Sequence, residues 1–360
     1  MPFPRVAIIG YGFAGRCFHS YLVSITPGLI LHGIASRDAA TRARIVAERG
    51  CRTYESLDQV LDDPAIDLVV LATPNHTHAA QAIQALQAGK HVVTDKVMCL
   101  TLADCEAMIA AAHTSGRLLS VFQNRRWDGD FLTLQAAIAA GLLGEVRWVE
   151  MAWGGFGAWG GWRGQAGMGG GKLYDLGAHL IDQLALLFPQ AIESVYCRMH
   201  HDFSHTDTES QAQVVIGFAG GATGICDTSS LMALPKPRIQ AFGTGGTFQK
   251  YGLDPQEAAM IAGDIDAARE DAAHFARLAD GQSERRLPTQ PGRWRTYYEN
   301  IRDVLTLGAE PLVKLTEVRR AIQILDAAWQ SARSGEVVRP SADCGVRSAE
   351  LPAGAQSGQS

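Results

Sequence analysis

Asp175, His179 and Asp182 stand at spacings i, i+4 and i+7 in the run Gly169-Gly170-Gly171-Lys172-Leu173-Tyr174-Asp175-Leu176-Gly177-Ala178-His179-Leu180-Ile181-Asp182. On a helix they share one face. An imidazole flanked by carboxylates suits proton transfer near neutral pH, because a carboxylate stabilises the imidazolium. The plainer alternative is a capping aspartate and a satisfied core histidine. The three glycines upstream permit close backbone approach to a ligand. A second chemical group is Lys96, which follows Val92-Val93-Thr94-Asp95. An ammonium at the C-terminal end of a buried parallel strand can bond a substrate hydroxyl and stabilise an alkoxide. Its alternative is a lysine reaching out to solvent.

The chain opens with Val6-Ala7-Ile8-Ile9-Gly10-Tyr11-Gly12-Phe13-Ala14-Gly15, an apolar run leading into G-x-G-x-x-G. A helical stretch and a second apolar run follow, which is the context a dinucleotide fingerprint requires. Gly10 permits the tight turn, Gly12 lets backbone approach a pyrophosphate, and Gly15 lets helix pack on strand. Phe13 and Ala14 then lie where a helix N-terminus offers free N–H groups to phosphates. The alternative is that the glycines serve turn geometry only. The next strand ends in Ala35-Ser36-Arg37-Asp38. NAD sites usually carry an acidic residue there. Ser36 and Arg37 instead offer a hydroxyl and a guanidinium suited to a 2′-phosphate, and Asp38 reads as the cap of a helix starting at Ala39. NADP(H) is therefore favoured, with NAD(H) as the alternative and a solvated surface arginine as the plain reading. After the apolar run 67–72, Thr73-Pro74-Asn75-His76-Thr77-His78 forms a turn into a helix, with Asn75 as its expected cap. Thr73, Pro74, Asn75 and His78 are also candidate cofactor contacts, because the turn stands over the same crevice.

These groups need a frame. Apolar runs at 5–9, 29–35, 67–72, 91–95 and 117–122 alternate with helical patterns at 14–23, 39–49, 56–62, 76–88 and 101–115. That alternation predicts a Rossmann-type doubly wound parallel sheet over 1–123, an α/β fold. Gly10, Ser36, Thr73, Asp95 and Gln123 end its strands and should surround one crevice. From 124 to 338 the pattern changes to an α+β domain with a largely antiparallel open sheet. It has a helix at 130–140, a strand at 145–153, a helix at 175–188 and strands at 192–200, 210–218, 221–229, 236–243 and 246–251. Gly220-Gly221 and Gly245-Gly246 read as hairpin turns. Helices are expected at 265–280, 293–307 and 315–333, and a disordered tail over 339–360.

The 360 residues are 47% hydrophobic and 19% charged, with formal charge −5. Nothing in this balance suggests nucleic acid or an anionic membrane surface. Seven scattered cysteines without a C-x-x-C pair argue against a disulfide framework or a zinc ribbon, and no metal site is expected. No run of 18 or more apolar residues occurs. The expectation is a cytoplasmic protein.

With these motifs the chain resembles the Gfo/Idh/MocA oxidoreductases. The matching segments, in order, are VAIIGYGFAG, LATPNHTHAAQAIQALQAGKHV, TDK with MCLT, VFQNRRWDGDF and GGGKLYDLGAHLIDQ. GTGGTFQKYGLDPQE and YYENIRD are similar to the branch containing scyllo-inositol dehydrogenases. The family's Glu-Lys-Pro reads Asp95-Lys96-Val97 here. Its proline commonly follows a cis peptide bond, which a valine disfavours, so the local backbone is expected to differ. The resemblance implies a trio of Lys96, Asp175 and His179. His179 would take a hydroxyl proton while hydride passes to the nicotinamide, Asp175 would orient the imidazole, and Lys96 would polarise the oxygen. It also implies that Asp182 binds substrate hydroxyls and that Asn124, Trp162 and Arg163 reach the cofactor. Trp153, Trp159 and Trp162 lie among glycines and can stack on sugar C–H faces or form an interface patch. The expected activity is reversible NADP(H)-dependent oxidoreduction of a cyclic polyol, sugar or inosose. The alternatives are an NAD-assisted glycosidase and a non-catalytic sugar or dinucleotide sensor. A homo-oligomer through the C-terminal sheet is expected from strands apolar on both alternating sets, as at Val214-Val215-Ile216.

Overall fold

The computed structural model of the chain describes residues 3–341. Most of the expected tail, from residue 342 on, lies outside the described residues. The first sheet comprises β1 (Arg5–Ile9), β2 (Ile30–Ala35), β3 (Arg52–Tyr54), β4 (Leu68–Leu71), β5 (His91–Thr94) and β6 (Leu119–Val121). Its order is β3-β2-β1-β4-β5-β6 and every pairing is parallel. β4 is Leu-Val-Val-Leu, buried at every residue, as a parallel strand covered by helices on both faces must be. Strand order reverses between β1 and β4, which leaves a crevice at their C-terminal ends. β3 is too short to show in the apolar pattern.

The second sheet comprises β7 (Val146–Gly154), β8 (Ile192–His200), β9 (Gln211–Phe218), β10 (Ala222–Ser229), β11 (Ile239–Gly243), β12 (Gly246–Lys250), β13 (Ala276–Ala279) and β14 (Glu284–Leu287). Its order is β14-β13-β12-β11-β7-β10-β9-β8, antiparallel except for β7 against β10. Gly220 and Gly221 both have positive φ and turn β9 into β10, the requirement of a tight hairpin. Val149 and Met151 of β7 are buried, whereas Trp148 on the opposite face is exposed beside the exposed Phe242 of β11.

The helix expected at 265–280 is not formed. Asp264 and Asp271 cap two single turns, Ile265–Ala267 and Ala272–His274, and the chain then enters β13. Ala276 and Leu278 face inward and Arg277 outward, a period of two that overrides the alanine-rich composition. The helix expected at 76–88 is a short turn, Asn75–Thr77, followed by a helix His78–Gln87. Helix Arg295–Leu307 returns to the first sheet. Its Tyr297 hydroxyl meets Ser120 Oγ at 2.9 Å, its Tyr298 hydroxyl meets His19 Nδ1 at 2.8 Å, and Trp294, Tyr297 and Tyr298 are buried.

Candidate functional site

The crevice holds a cavity of about 780 Å³ running from the glycine turn to the second domain. Gly10, Gly12, Phe13 and Ala14 line it, with Ser36, Arg37 and Asp38 at one end and Asp95, Lys96, Trp162, Arg163 and Asp175 at the other. Gly10 has φ +98°, and a Cβ there would meet the Ala72 carbonyl at 2.5 Å. A Cβ on Gly15 would strike the Gly10 carbonyl at 2.2 Å. On Gly12 it would meet nothing within 4 Å, so Gly12 leaves clear space on the cavity wall where a phosphate can approach backbone. The helix that follows opens in wider π-type turns, Ala14–His19. Asp38 caps helix Ala39–Arg49 by accepting from Thr41 N at 2.8 Å. Arg37 is exposed on the cavity rim, and among the described residues no ion pair includes it.

A second cavity of about 390 Å³ adjoins the first and shares Phe13, Ala14, Asp95, Lys96, Arg163 and Asp175 with it. Lys96 comes from the end of β5, where the Lys96–Val97 bond is cis. The cis geometry is thus present without a proline, contrary to the sequence expectation. His78 holds the Val97 carbonyl at 2.8 Å beside it. Lys96 Nζ donates to the Asp175 carbonyl at 2.6 Å and pairs with the Asp175 carboxylate. Arg163 Nε donates to the other carboxylate oxygen at 3.0 Å. Burial pushes the Asp175 carboxyl up, but Lys96 and Arg163 outweigh it and hold it below its usual value. Asp95 is pushed up by burial and brought down to about 2 by His19, Lys96 and His78.

His179 lines this smaller cavity and stacks on Trp153, with ring centroids 6.1 Å apart. The carboxylate of Asp175 is engaged by Lys96 and Arg163 rather than by the imidazole, whose Nδ1 is buried without a hydrogen-bond partner. Burial, then the charges of Lys96, Arg125 and Arg238, push its pKa well below the usual value. The ring is therefore neutral at neutral pH. Helix Ala178–Leu187 carries it, entered through π-type turns Leu173–Gly177.

Asn124, Trp162 and Arg163 line one cavity or the other, as do Thr73, Pro74 and Asn75. Asn75 does not cap its helix. Its amide donates to the Gly169 carbonyl at 2.8 Å and ties the two domains across the crevice. His78 is fully buried outside both linings, with Nδ1 and Nε2 facing the carbonyls of Val97 and Thr73. Asp182 is likewise absent from both linings. Arg126 grips it in a fork, at 2.8 Å from Nε and 2.7 Å from Nη2, and it is buried away from both cavities, out of reach of a substrate hydroxyl. Sequence reasoning missed Arg125, Phe18, Phe122, Lys172 and Glu257 in the smaller cavity. Of these, Phe122, Arg125, Lys172 and Glu257 lie inside the segments that carry the family resemblance, and only Phe18 lies outside them. Among the described residues, no group of three or more His, Cys, Asp or Glu side chains could hold a metal ion, and no helix is long and apolar enough to cross a membrane.

Residues 4–123 match the oxidoreductase family with an NAD-binding Rossmann fold, and residues 131–249 match the GFO/IDH/MocA C-terminal domain. The chain is 36% identical over 341 residues to the oxidoreductase YdgJ of Escherichia coli (strain K12), covering 91% of this chain and 96% of that protein. It is 31% identical to scyllo-inositol 2-dehydrogenase (NADP(+)) IolW of Bacillus subtilis (strain 168), covering 93% of this chain and 95% of that one. A crystal structure of an oxidoreductase from Klebsiella pneumoniae superposes with a TM-score of 0.85 at 33% identity, covering 96% of this chain and 97% of that chain. With a parallel nucleotide-binding sheet, a second mixed sheet and both sequence patterns in the family's order, the chain belongs to the Gfo/Idh/MocA family of oxidoreductases.

Proposed function

We propose that the protein is an NADP(H)-dependent dehydrogenase or reductase of a small polyol, sugar or inosose. The observation that carries this reading is the junction of the two cavities. A neutral imidazole, His179, and an ammonium, Lys96, line a small chamber that opens into the long glycine-walled cavity. The residues present suit a dinucleotide. Backbone at Gly10–Ala14 would hold the pyrophosphate, Ser36 and Arg37 the 2′-phosphate, and Asp95, Lys96, Asn124, Trp162 and Arg163 the end near the chemistry. When bound, the dinucleotide supplies the hydride acceptor or donor.

The side chains then divide the proton work. In oxidation, neutral His179 takes the proton of the substrate hydroxyl, and Lys96 donates a hydrogen bond to the same oxygen and stabilises its developing negative charge. Asp175, itself held by Arg163, keeps Lys96 in place rather than orienting the imidazole. Reduction reverses these steps, with His179 returning the proton. Trp153 supports the imidazole, with the guanidinium groups of Arg125 and Arg238 over its ring.

The test is nicotinamide absorbance during incubation with polyols, sugars and ketoses, using NADP and NAD side by side. Net turnover with NADP preferred is expected. Cofactor retained through purification, with sugar cleavage and no net change in nicotinamide, would favour the assisted glycosidase instead. Binding without any reaction would favour a sensor.

A further inference from the structure

Lys172 closes the triple-glycine turn and lines the smaller cavity with Lys96, Trp153, Trp159 and His179. It is only 4% exposed. Its ammonium donates to the Ser229 carbonyl at 2.9 Å and lies 4.9 Å from the centre of the Trp159 ring. An ammonium carries three donors, and one protein acceptor is in place.

The other cations of this cavity are matched. Lys96 and Arg163 share Asp175. Arg125 pairs with Asp128 at 3.2 Å and Glu257 at 2.6 Å. Among the described residues no ion pair includes Lys172. Burial lowers its pKa, and Asp175 and Glu209 oppose that only from beyond ion-pair distance. A buried cation without a counter-ion is costly. An anion brought in by a ligand would remove that cost.

Resting on the oxidoreductase reading above, we propose that the substrate carries a carboxylate, as a uronic acid or another polyhydroxy acid does, and that Lys172 binds it. The reacting hydroxyl lies at Lys96 and His179, and the ring lies beside Trp159. A chamber of about 390 Å³ is at the small end of ligand cavities, which suits one sugar unit rather than a glycan. Lys172 is thus a specificity residue, separate from the proton-transfer pair.

The experiment is calorimetric titration of the NADP-loaded enzyme with matched pairs: glucuronate against glucose, and galacturonate against galactose. Glucose 6-phosphate forms a third arm. At least one acid should bind ~10-fold or more tightly than its neutral partner, the worth of one charge-assisted contact. The preference should shrink in Lys172→Met and survive in Lys172→Arg, which keeps the charge should the methionine variant fold poorly. No preference in either wild-type pair, or one that persists in Lys172→Met, overturns the proposal. Tighter binding of glucose 6-phosphate alone assigns the ammonium to a phosphate and also overturns it. Nicotinamide turnover is read separately. Its failure with the acid preference intact would sink the redox reading and leave the role of Lys172 standing.

Discussion

His179 is held as a neutral imidazole in the resting site because burial and the cations around it resist an imidazolium. Burial comes first, followed by the positive charges of Lys96, Arg125 and Arg238. Substituting His179 by Asn, or Lys96 by Met, should lower kcat by ~10²-fold or more while the cofactor still binds. Near-normal turnover in the asparagine variant would remove the imidazole from proton transfer. The pH profile follows from the sign of the shift. A ring pushed well below 6.5 stays neutral through the neutral range, so oxidation should lose rate on its acid side only well below that value. An acid limb centred at or above it would contradict this assignment. Arg37→Ala should weaken NADP(H) by ~10-fold or more and NAD(H) little, since only the former has a phosphate to pair. Equal weakening, measured by fluorescence titration, would remove Arg37 from cofactor choice. The glycine cradle and the presence of Lys96, Asp175 and His179 beside one chamber were legible in sequence from type and spacing, but a contact between Asp175 and the imidazole was not, because Lys96 and Arg163 take that carboxylate. Nor were the fates of His78 and Asp182. Each is decided by a tertiary partner, the Val97 and Thr73 carbonyls in one case and Arg126 in the other.

At the scale of elements, the turn Gly169–Gly171 rests on a carboxylate. Glu209 is buried beneath it, accepts from Leu173 N at 2.7 Å, and lies where a Cβ on Gly171 would come within 2.3 Å of its Oε2. Burial raises its pKa to about 7, against the pull of nearby backbone N–H groups and the Lys172 charge. The folded value exceeds the unfolded one. The stability gained is therefore full below the unfolded value and is lost as pH rises through about 7. Melting temperature should fall across that window in the wild type and fall less in Glu209→Gln, which keeps an acceptor without the charge. Parallel profiles would show that Glu209 does not titrate there. Alternating strands and helices in the first third were readable because each buried run has one period. The 265–280 segment was not, because its alanines favour a helix by propensity and only pairing with β12 imposes a strand. The inward and outward alternation of Ala276, Arg277 and Leu278 has meaning only beside β12.

Over the whole molecule, the second sheet leaves Trp148 and Phe242 exposed side by side among the described residues. An apolar patch on an open sheet is suited to self-association. Sedimentation should give a mass that is a multiple of 38.7 kDa, and Trp148→Arg with Phe242→Asp should shift it toward one chain. A wild-type monomer at micromolar concentration would refute association through this face. The first sheet has the opposite character, since its apolar edge is covered by distant sequence. Phe122 packs against Tyr297 and Tyr298, with ring centroids 5.0 and 5.9 Å apart, and His19 bonds the Tyr298 hydroxyl. Domains emerge from the ribosome N-terminal end first. The nucleotide-binding half is therefore translated long before its aromatic cover, and a nascent chain stalled short of Trp294 would expose Phe122 and leave His19 without its phenol. A nonsense mutation upstream of Trp294 would thus leave the first domain with an open aromatic edge beside the site as well as truncating the second.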